Sequence, residues 1–418
     1  MQDMLIENAS QILTMEGAGW EPLRGERQNK LRIKEGQSIL IRGNRIIELL
    51  TATKKEKYLR NNEPKTIDAR GNVVMPGIID SHTHLVYGGT REDEFFMKIK
   101  GKSYLEILNS GNGIYATVNS TRKMSEDQIF SESLKRIYDS IFYGTTTVEI
   151  KTGYGLNLAT ELKMLSVIER ISSLGIINVV PTFLGMHAIP KGETEGKYTS
   201  EVLDKIAPKF AGKVKFVDVF CDKGAFTPES TREMALWGVR NNIRLKLHAD
   251  ELEDVGCLDL CDEFEFASVD HLLKTNRRGI EKISKSGSVA TFLPITAHSI
   301  GNDKYPDIKK FIDSGIPVAI GSDASPVSYN SNVFFALYLA VRFCHITLEE
   351  ALNAVTINAA FAAGVEDDRG SIEPGKMADI LILNVDNYRK IPYEFGARLV
   401  DTVITNGEIV MRNGVFQL

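Results

Sequence analysis

Residues 77–89 read GIIDSHTHLVYGG, and His82 and His84 are the first side chains here with spacing for chemistry. On an extended chain, residues two apart point to the same side, so both imidazoles would face one ion. Hydrogen-bonded core histidines produce the same pair, so further donors are needed. His248 and Glu251 stand in LHADE, Asp270 and His271 in VDHLL, His187 in GMHAIP and Asp323 in GSD. His82, His84, His248 and Asp323 make a set of three nitrogens and one oxygen, suited to zinc or iron, with a position left for water. Water on such an ion becomes a nucleophile near neutral pH. Glu251, three residues after His248, could carry its proton to a leaving nitrogen. His271 could hydrogen-bond the same water or polarise the scissile carbonyl.

Gathering these groups takes a regular scaffold. Eight short apolar, β-rich runs occur at 72–82, 144–150, 177–185, 214–220, 243–249, 267–273, 288–295 and 317–323. Helix-like segments such as SEDQIFSESLKRIYDSIFY and LATELKMLSVIERISS lie between most of them. This alternation predicts an α/β fold, a (β/α)8 TIM-like barrel over residues 70–369. A doubly wound open sheet is the alternative, but no glycine-rich dinucleotide loop follows the first strand. In a barrel the reactive residues above fall where the strands end, and five of the seven histidines share that inferred rim. Residues 1–69 and 370–418 hold short strand-like pieces, with turn signals at Gly43-Asn44, Asn406-Gly407 and Asn413-Gly414. They predict a small composite β-sandwich domain built from both termini.

The chain has 418 residues, 43% hydrophobic, enough for a large core and two domains. A net charge of -5 gives no basis for binding nucleic acid or an anionic membrane. No run approaches a membrane span and no secretory signal is visible, so a cytoplasmic globular protein is expected. Four cysteines, Cys221, Cys257, Cys261 and Cys344, are too sparse for a disulfide framework. Cys257 and Cys261, spaced for one helical face, are expected in the core.

Around the inferred rim, Arg91 has two readings: a fork onto a substrate carboxylate, or a surface residue paired with Glu92 or Asp93. Tyr104, Tyr154 and His187 are candidate pocket walls. Lys223, past the end of the fourth strand, is a poor candidate for the bridging lysine of a two-metal site, so one metal ion is expected. His298 and His345 have no supporting pattern.

The residues now resemble a known family. The strings PGIIDSHTHL, HADE, DHL, Asp323 and GSIEPGKMADILIL are similar to the amidohydrolase superfamily. GGTREDEF, SYLEILNSGNGI, VEIKTGYGL, TFLGMHAIP and LPITA narrow the resemblance to its imidazolonepropionases, over essentially the whole chain. The resemblance implies hydrolysis of 4-imidazolone-5-propanoate to N-formimidoyl-L-glutamate in histidine degradation. It implies one Zn2+ or Fe3+ held by His82, His84, His248 and Asp323, with Glu251 as general base and acid and His271 assisting. Arg91, Tyr154 and His187 would hold the substrate, Tyr104 would line the same pocket, and a homodimer is implied. After the strand-eight aspartate the family usually has Asn-Pro-Gly followed by Ser or Thr. Here SDASPVSYNSN puts Ser325 and Val327 at the asparagine and glycine positions, which contact ligand in the family, while Ser328 keeps a hydroxyl. His298 stands where the family more often has an aromatic.

Two other readings compete with this one. Another mononuclear amidohydrolase or a deaminase would act on a carboxylate-bearing cyclic amide or amidine. A catalytically dead metal-binding scaffold would need neither Glu251 nor an open coordination position.

Overall fold

The structure, a computed structural model, describes residues 2–102, 106, 112–301 and 305–417. Its central sheet has eight strands, numbered here β1 to β8. They are β1 Ile78–Asp80, β2 Thr145–Lys151, β3 Asn178–Met186 and β4 Phe216–Cys221. The others are β5 Arg244–Ala249, β6 Phe266–His271, β7 Val289–Phe292 and β8 Val318–Ile320. Each pairs in parallel with the next in sequence. A parallel bridge between Thr83 and Ala324 brings the two end strands together, and Asp80 adds bonds to the Ser322 amide at 2.9 Å and hydroxyl at 2.5 Å. The expected (β/α)8 barrel is present.

Alternation along the strands decides what fills its centre. In β2, Val148 and Ile150 join the apolar core, while Thr145, Thr147, Glu149 and Lys151 are buried on the other face, inside the barrel. In β5, Leu245 and Leu247 pack outward and Lys246 and His248 turn in. The surrounding helices begin where local chemistry says they should. Ser125 and Gln128 form a capping box for Glu126–Phe142, whose buried Ile129, Ser133, Ile137 and Ile141 recur every four residues as one stripe. Asn157 and Thr227 cap Leu158–Ser173 and Pro228–Arg240 through their side chains.

Strands from both ends of the chain form two further sheets. One, of four strands, holds Arg45–Leu50, Ser38–Arg42, Met4–Glu7 and Lys65–Asp68 in that order. The other, of seven, mixes Gln11–Leu13 and Ile33–Lys34 with Ile380–Leu383, Val400–Thr405, Glu408–Arg412 and Val415–Phe416. Met4, Ile6, Ile39, Ile41 and Ile67 from the first meet Ile12, Val74, Ile380, Ile382 and Ile404 from the second in a separate apolar cluster. That is sandwich packing.

The seventh strand of that sheet corrects the expectation for residues 72–82. Val73–Pro76 is not part of the first barrel strand; it pairs antiparallel with Ile380–Leu383 and parallel with Gln11–Leu13. Gly77 marks the division, because a Cβ there would overlap the Thr146 side chain. The cysteines depart from expectation too. Cys257 and Cys261 are buried, but Cys257 is disulfide-bonded to Cys221, with their Cα atoms 6.1 Å apart. Cys261 and Cys344 are free and buried.

Candidate active site

The C-terminal ends of β1, β5, β6 and β8 converge on a buried group of imidazoles and carboxylates. Ring centroids of His82 lie 5.3 Å from His84, 4.5 Å from His248 and 5.3 Å from His271. Asp323 Oδ1 is 3.8 Å from His82 Nε2 and 3.5 Å from His84 Nε2. Donor atoms of His82, His84 and Asp323 lie within 4.8 Å of one another, and so do those of His82, His248 and His271.

Two of the rings meet carboxylates deeper in the barrel. His82 Nδ1 is 2.7 Å from Asp270 Oδ2, and His248 Nδ1 is 2.9 Å from Asp218 Oδ2. Carboxylates at Nδ1 favour the tautomer that leaves Nε2 as a lone-pair donor. The Nε2 atoms of His82 and His248 are buried with no hydrogen-bond partner. Leaving such nitrogens unmatched costs about 1–3 kcal/mol each, which a bound cation removes. Burial first, then the neighbouring Lys151 charge, holds His82 well below the ordinary histidine range. Burial does the same for His84 and His271. Neutral imidazoles are what a metal ion requires, so the donor set fits a cation.

The floor beneath the rings is charged. Lys151 Nζ is 2.7 Å from Glu149 and 2.8 Å from Asp218, and Lys246 Nζ donates to the Ser81 carbonyl at 2.6 Å. Burial opposes ionisation of Asp218, but its close contacts with His248 and Lys151 outweigh it and keep the carboxylate charged. None of Asp218, Lys151 or Lys246 was singled out from sequence. The available signal was their parity: charges at inward positions of strands that are otherwise apolar.

Left-handed backbone aims several of the reactive groups. His271 shares the parity of the outward-facing Val269, yet its φ of 79° ends the strand and its ring joins the cluster. Asp250 and Asp323 have φ of 56° and 49°, so the chain also departs from extended geometry just past β5 and β8. Glu251 follows Asp250, with Oε2 3.7 Å from His271 Nδ1. Burial, then the Asp323 and Asp222 charges, pushes the Glu251 carboxyl up to about 8. Burial raises Asp323 to about 6, against its bond from the Thr296 hydroxyl at 2.6 Å.

Two of the candidate pocket walls lie beside the imidazoles. His187 stacks on His84 at 5.0 Å and Tyr154 lies 5.0 Å from His187, so both border the imidazole cluster. Burial pushes the Tyr154 phenol well up, with Arg91 opposing. Glu161 accepts bonds from the amides of Gly153, Gly155 and Leu156 at 3.0, 2.7 and 3.0 Å, fixing the loop that carries Tyr154. Arg91 pairs with neither Glu92 nor Asp93. It is nearly buried and its Nε donates to Glu94 at 2.7 Å, because Glu94 lies one helical turn along. Tyr104 lies outside the described residues.

In the strand-eight loop, Ser328 Oγ is 3.4 Å from Thr296 Oγ1 and so reaches Asp323 through one hydroxyl. Ser325 closes the turn instead, its hydroxyl accepting from the Ser328 amide at 3.2 Å. It also lines a cavity of about 270 Å3 with Tyr87, Arg136, Asp139 and Asn330. Val327 is half-buried. His298 is exposed against Tyr305, and His345 is exposed. Lys223 is paired with Glu253, away from the imidazoles.

This fold and site match known proteins. The amidohydrolase family model matches residues 73–410. An imidazolonepropionase of Picrophilus torridus is 46% identical over 410 residues, covering 98% of this chain and 99% of its own. Imidazolonepropionases of Thermoplasma volcanium and Geobacillus kaustophilus are 42% and 38% identical, covering 97% and 99% of this chain and 98% and 99% of their own. The chain belongs to the amidohydrolase family and, within it, to the imidazolonepropionases. Among solved structures, a triazine hydrolase variant superposes with a TM-score of 0.75 at 19% identity, covering 100% of this chain and 96% of its own. A zinc-bound adenosine deaminase from Xanthomonas campestris does so with 0.75 at 14% identity, covering 99% and 94%. At such identities these share the fold.

Proposed function

We propose that this protein hydrolyses the ring amide of 4-imidazolone-5-propanoate to N-formimidoyl-L-glutamate, a step of histidine degradation. One observation carries the reading: a buried cluster of His82, His84, His248, His271 and Asp323 with the half-buried Glu251 beside it, in a chain that aligns end to end with imidazolonepropionases. His82, His84, His248 and Asp323 would hold one zinc or iron ion. When bound, that ion supplies Lewis acidity, which acidifies water and polarises the ring carbonyl.

Glu251 takes a proton from the attacking water as the water oxygen bonds to the ring carbonyl carbon. It gives that proton to the ring nitrogen as the carbon–nitrogen bond breaks, so one water is consumed and one carboxylate appears. A carboxyl raised by burial is matched to both halves of this exchange. His271 borders Glu251 and the metal-ligand rings, where it can donate to the developing oxyanion. His187 and Tyr154 wall the ring of the substrate. Arg91, whose charge is only partly taken up by Glu94, favours the propanoate tail. The same reading includes a homodimer of the 46.5 kDa chain in the cytoplasm. Among the described residues no helix is long and apolar enough to cross a membrane.

The test is to incubate metal-analysed protein with the substrate and identify the product by mass. The reading expects a gain of one water and an open-chain formimidoyl product. Release of ammonia instead would favour a deaminase.

A further inference from the structure

We propose that Asp222 is a positioning residue for Glu251, acting through the backbone of the loop that carries it. This rests on Glu251 being the proton carrier described above. Asp222 follows β4 directly and is 2% exposed. Its Oδ2 accepts from the amides of Glu251 at 2.8 Å and Leu252 at 2.9 Å. Its Oδ1 accepts from the amides of Glu253 at 3.0 Å and Lys223 at 2.7 Å. Three successive amides of one loop thus converge on a single buried carboxylate from the neighbouring strand.

The barrel does not need this clamp to close. β4 and β5 already pair from Phe216 opposite Arg244 to Cys221 opposite Ala249. What the clamp fixes lies beyond the strands, where Asp250, with φ of 56°, turns the chain off the β5 direction. Two more ties lie nearby: the Lys223–Glu253 ion pair joins the same pair of loops, and a disulfide joins Cys221, the last residue of β4, to Cys257. The Glu251 carboxylate itself is loosely held. Among the described residues its one ion-pair contact is His271 at 3.7 Å. A group that must exchange protons with substrate cannot be tied down at its own oxygens. Its place is therefore set from the backbone behind it, and Asp222 sets that backbone.

The test uses the metal-loaded full-length protein with Asp222→Asn and Asp222→Ala. It measures kcat, KM, bound metal, thermal midpoint and amide hydrogen exchange. Misplacing a catalytic group by ~1 Å costs on the order of 10²-fold, so Asp222→Ala should lower kcat by about that factor with KM within about twofold. Asp222→Asn keeps one acceptor oxygen and should fall between it and wild type. Metal content should be unchanged, and exchange should accelerate at residues 251–253 but not along 244–249. The proposal is overturned if kcat stays near wild type, or if its loss tracks metal loss or a rise in KM. Should Asp222→Ala not fold, Asp222→Asn decides by the same criteria. A wild type with no turnover would defeat the functional reading. Exchange would still judge the clamp, and unchanged protection at 251–253 in Asp222→Asn would overturn it.

Discussion

Glu251 sits one residue beyond a left-handed turn, faces His271 and is raised by burial to about 8. A general base must be deprotonated, so its active form is lost as pH falls through its pKa. A bound cation draws that pKa back toward the ordinary value. We expect kcat/KM to fall on the acid side with a midpoint above 4.5 and no higher than about 8. A profile flat across that window would contradict the role given to Glu251. At this scale the sequence was informative because His82, His84, His248 and Asp323 stand at strand ends, where spacing and type alone suggest a ligand set. The buried lysines were not legible, since a lysine in a string carries no sign of which face of a strand it occupies. The ion-pair partner of Arg91 was not legible for a related reason: it depends on where a helix starts, and Glu94 is one turn in.

Loops carry the chemistry and carboxylates hold the loops. Glu161, buried in Leu158–Ser173, gathers the amides of Gly153, Gly155 and Leu156 around Tyr154. Replacing it with glutamine points an amide donor at amide donors. Glu161→Gln should therefore cost about 1–3 kcal/mol, read from the denaturant midpoint at unchanged slope, and should raise KM by displacing Tyr154. An unchanged midpoint and KM would show that the loop holds itself. The barrel strands and their order were legible because buried parallel strands read as apolar runs, and helices announce their starts through Ser125, Asn157 and Thr227. The break at Gly77 was not legible. Val73–Pro76 and Ile78–Asp80 make one apolar run, and only the close approach of Thr146 separates them.

The barrel and the two terminal sheets share a boundary in the seven-stranded sheet. Val73, Met75, Leu381 and Val403 turn toward the barrel core, while Val74, Ile380, Ile382 and Ile404 pack in the sandwich. The turn signals in both termini foretold β structure. They could not foretell that a strand so near His82 and His84 in sequence would join it. The Cys221–Cys257 link was equally hidden, because cysteines 36 residues apart meet only once β4 and β5 lie side by side. Unmatched imidazoles at the centre of the barrel make the whole molecule sensitive to its ion. Removing metal with a chelator should lower the thermal midpoint, and restoring it at 100 times its dissociation constant should return about 2.7 kcal/mol. A midpoint indifferent to chelation would mean that no ion contributes to the fold.

The measurement that bears most directly on the account compares wild type with Glu251→Gln at equal metal content. Both are given freshly generated 4-imidazolone-5-propanoate, and loss of the imidazolone absorbance is followed. The account predicts turnover by wild type, abolished by chelation, and a loss of at least about 10²-fold in the variant with its metal retained. Absence of turnover by wild type with one metal bound per chain would contradict it. That result would turn attention to Ser325 and Val327 and to other carboxylate-bearing cyclic amides.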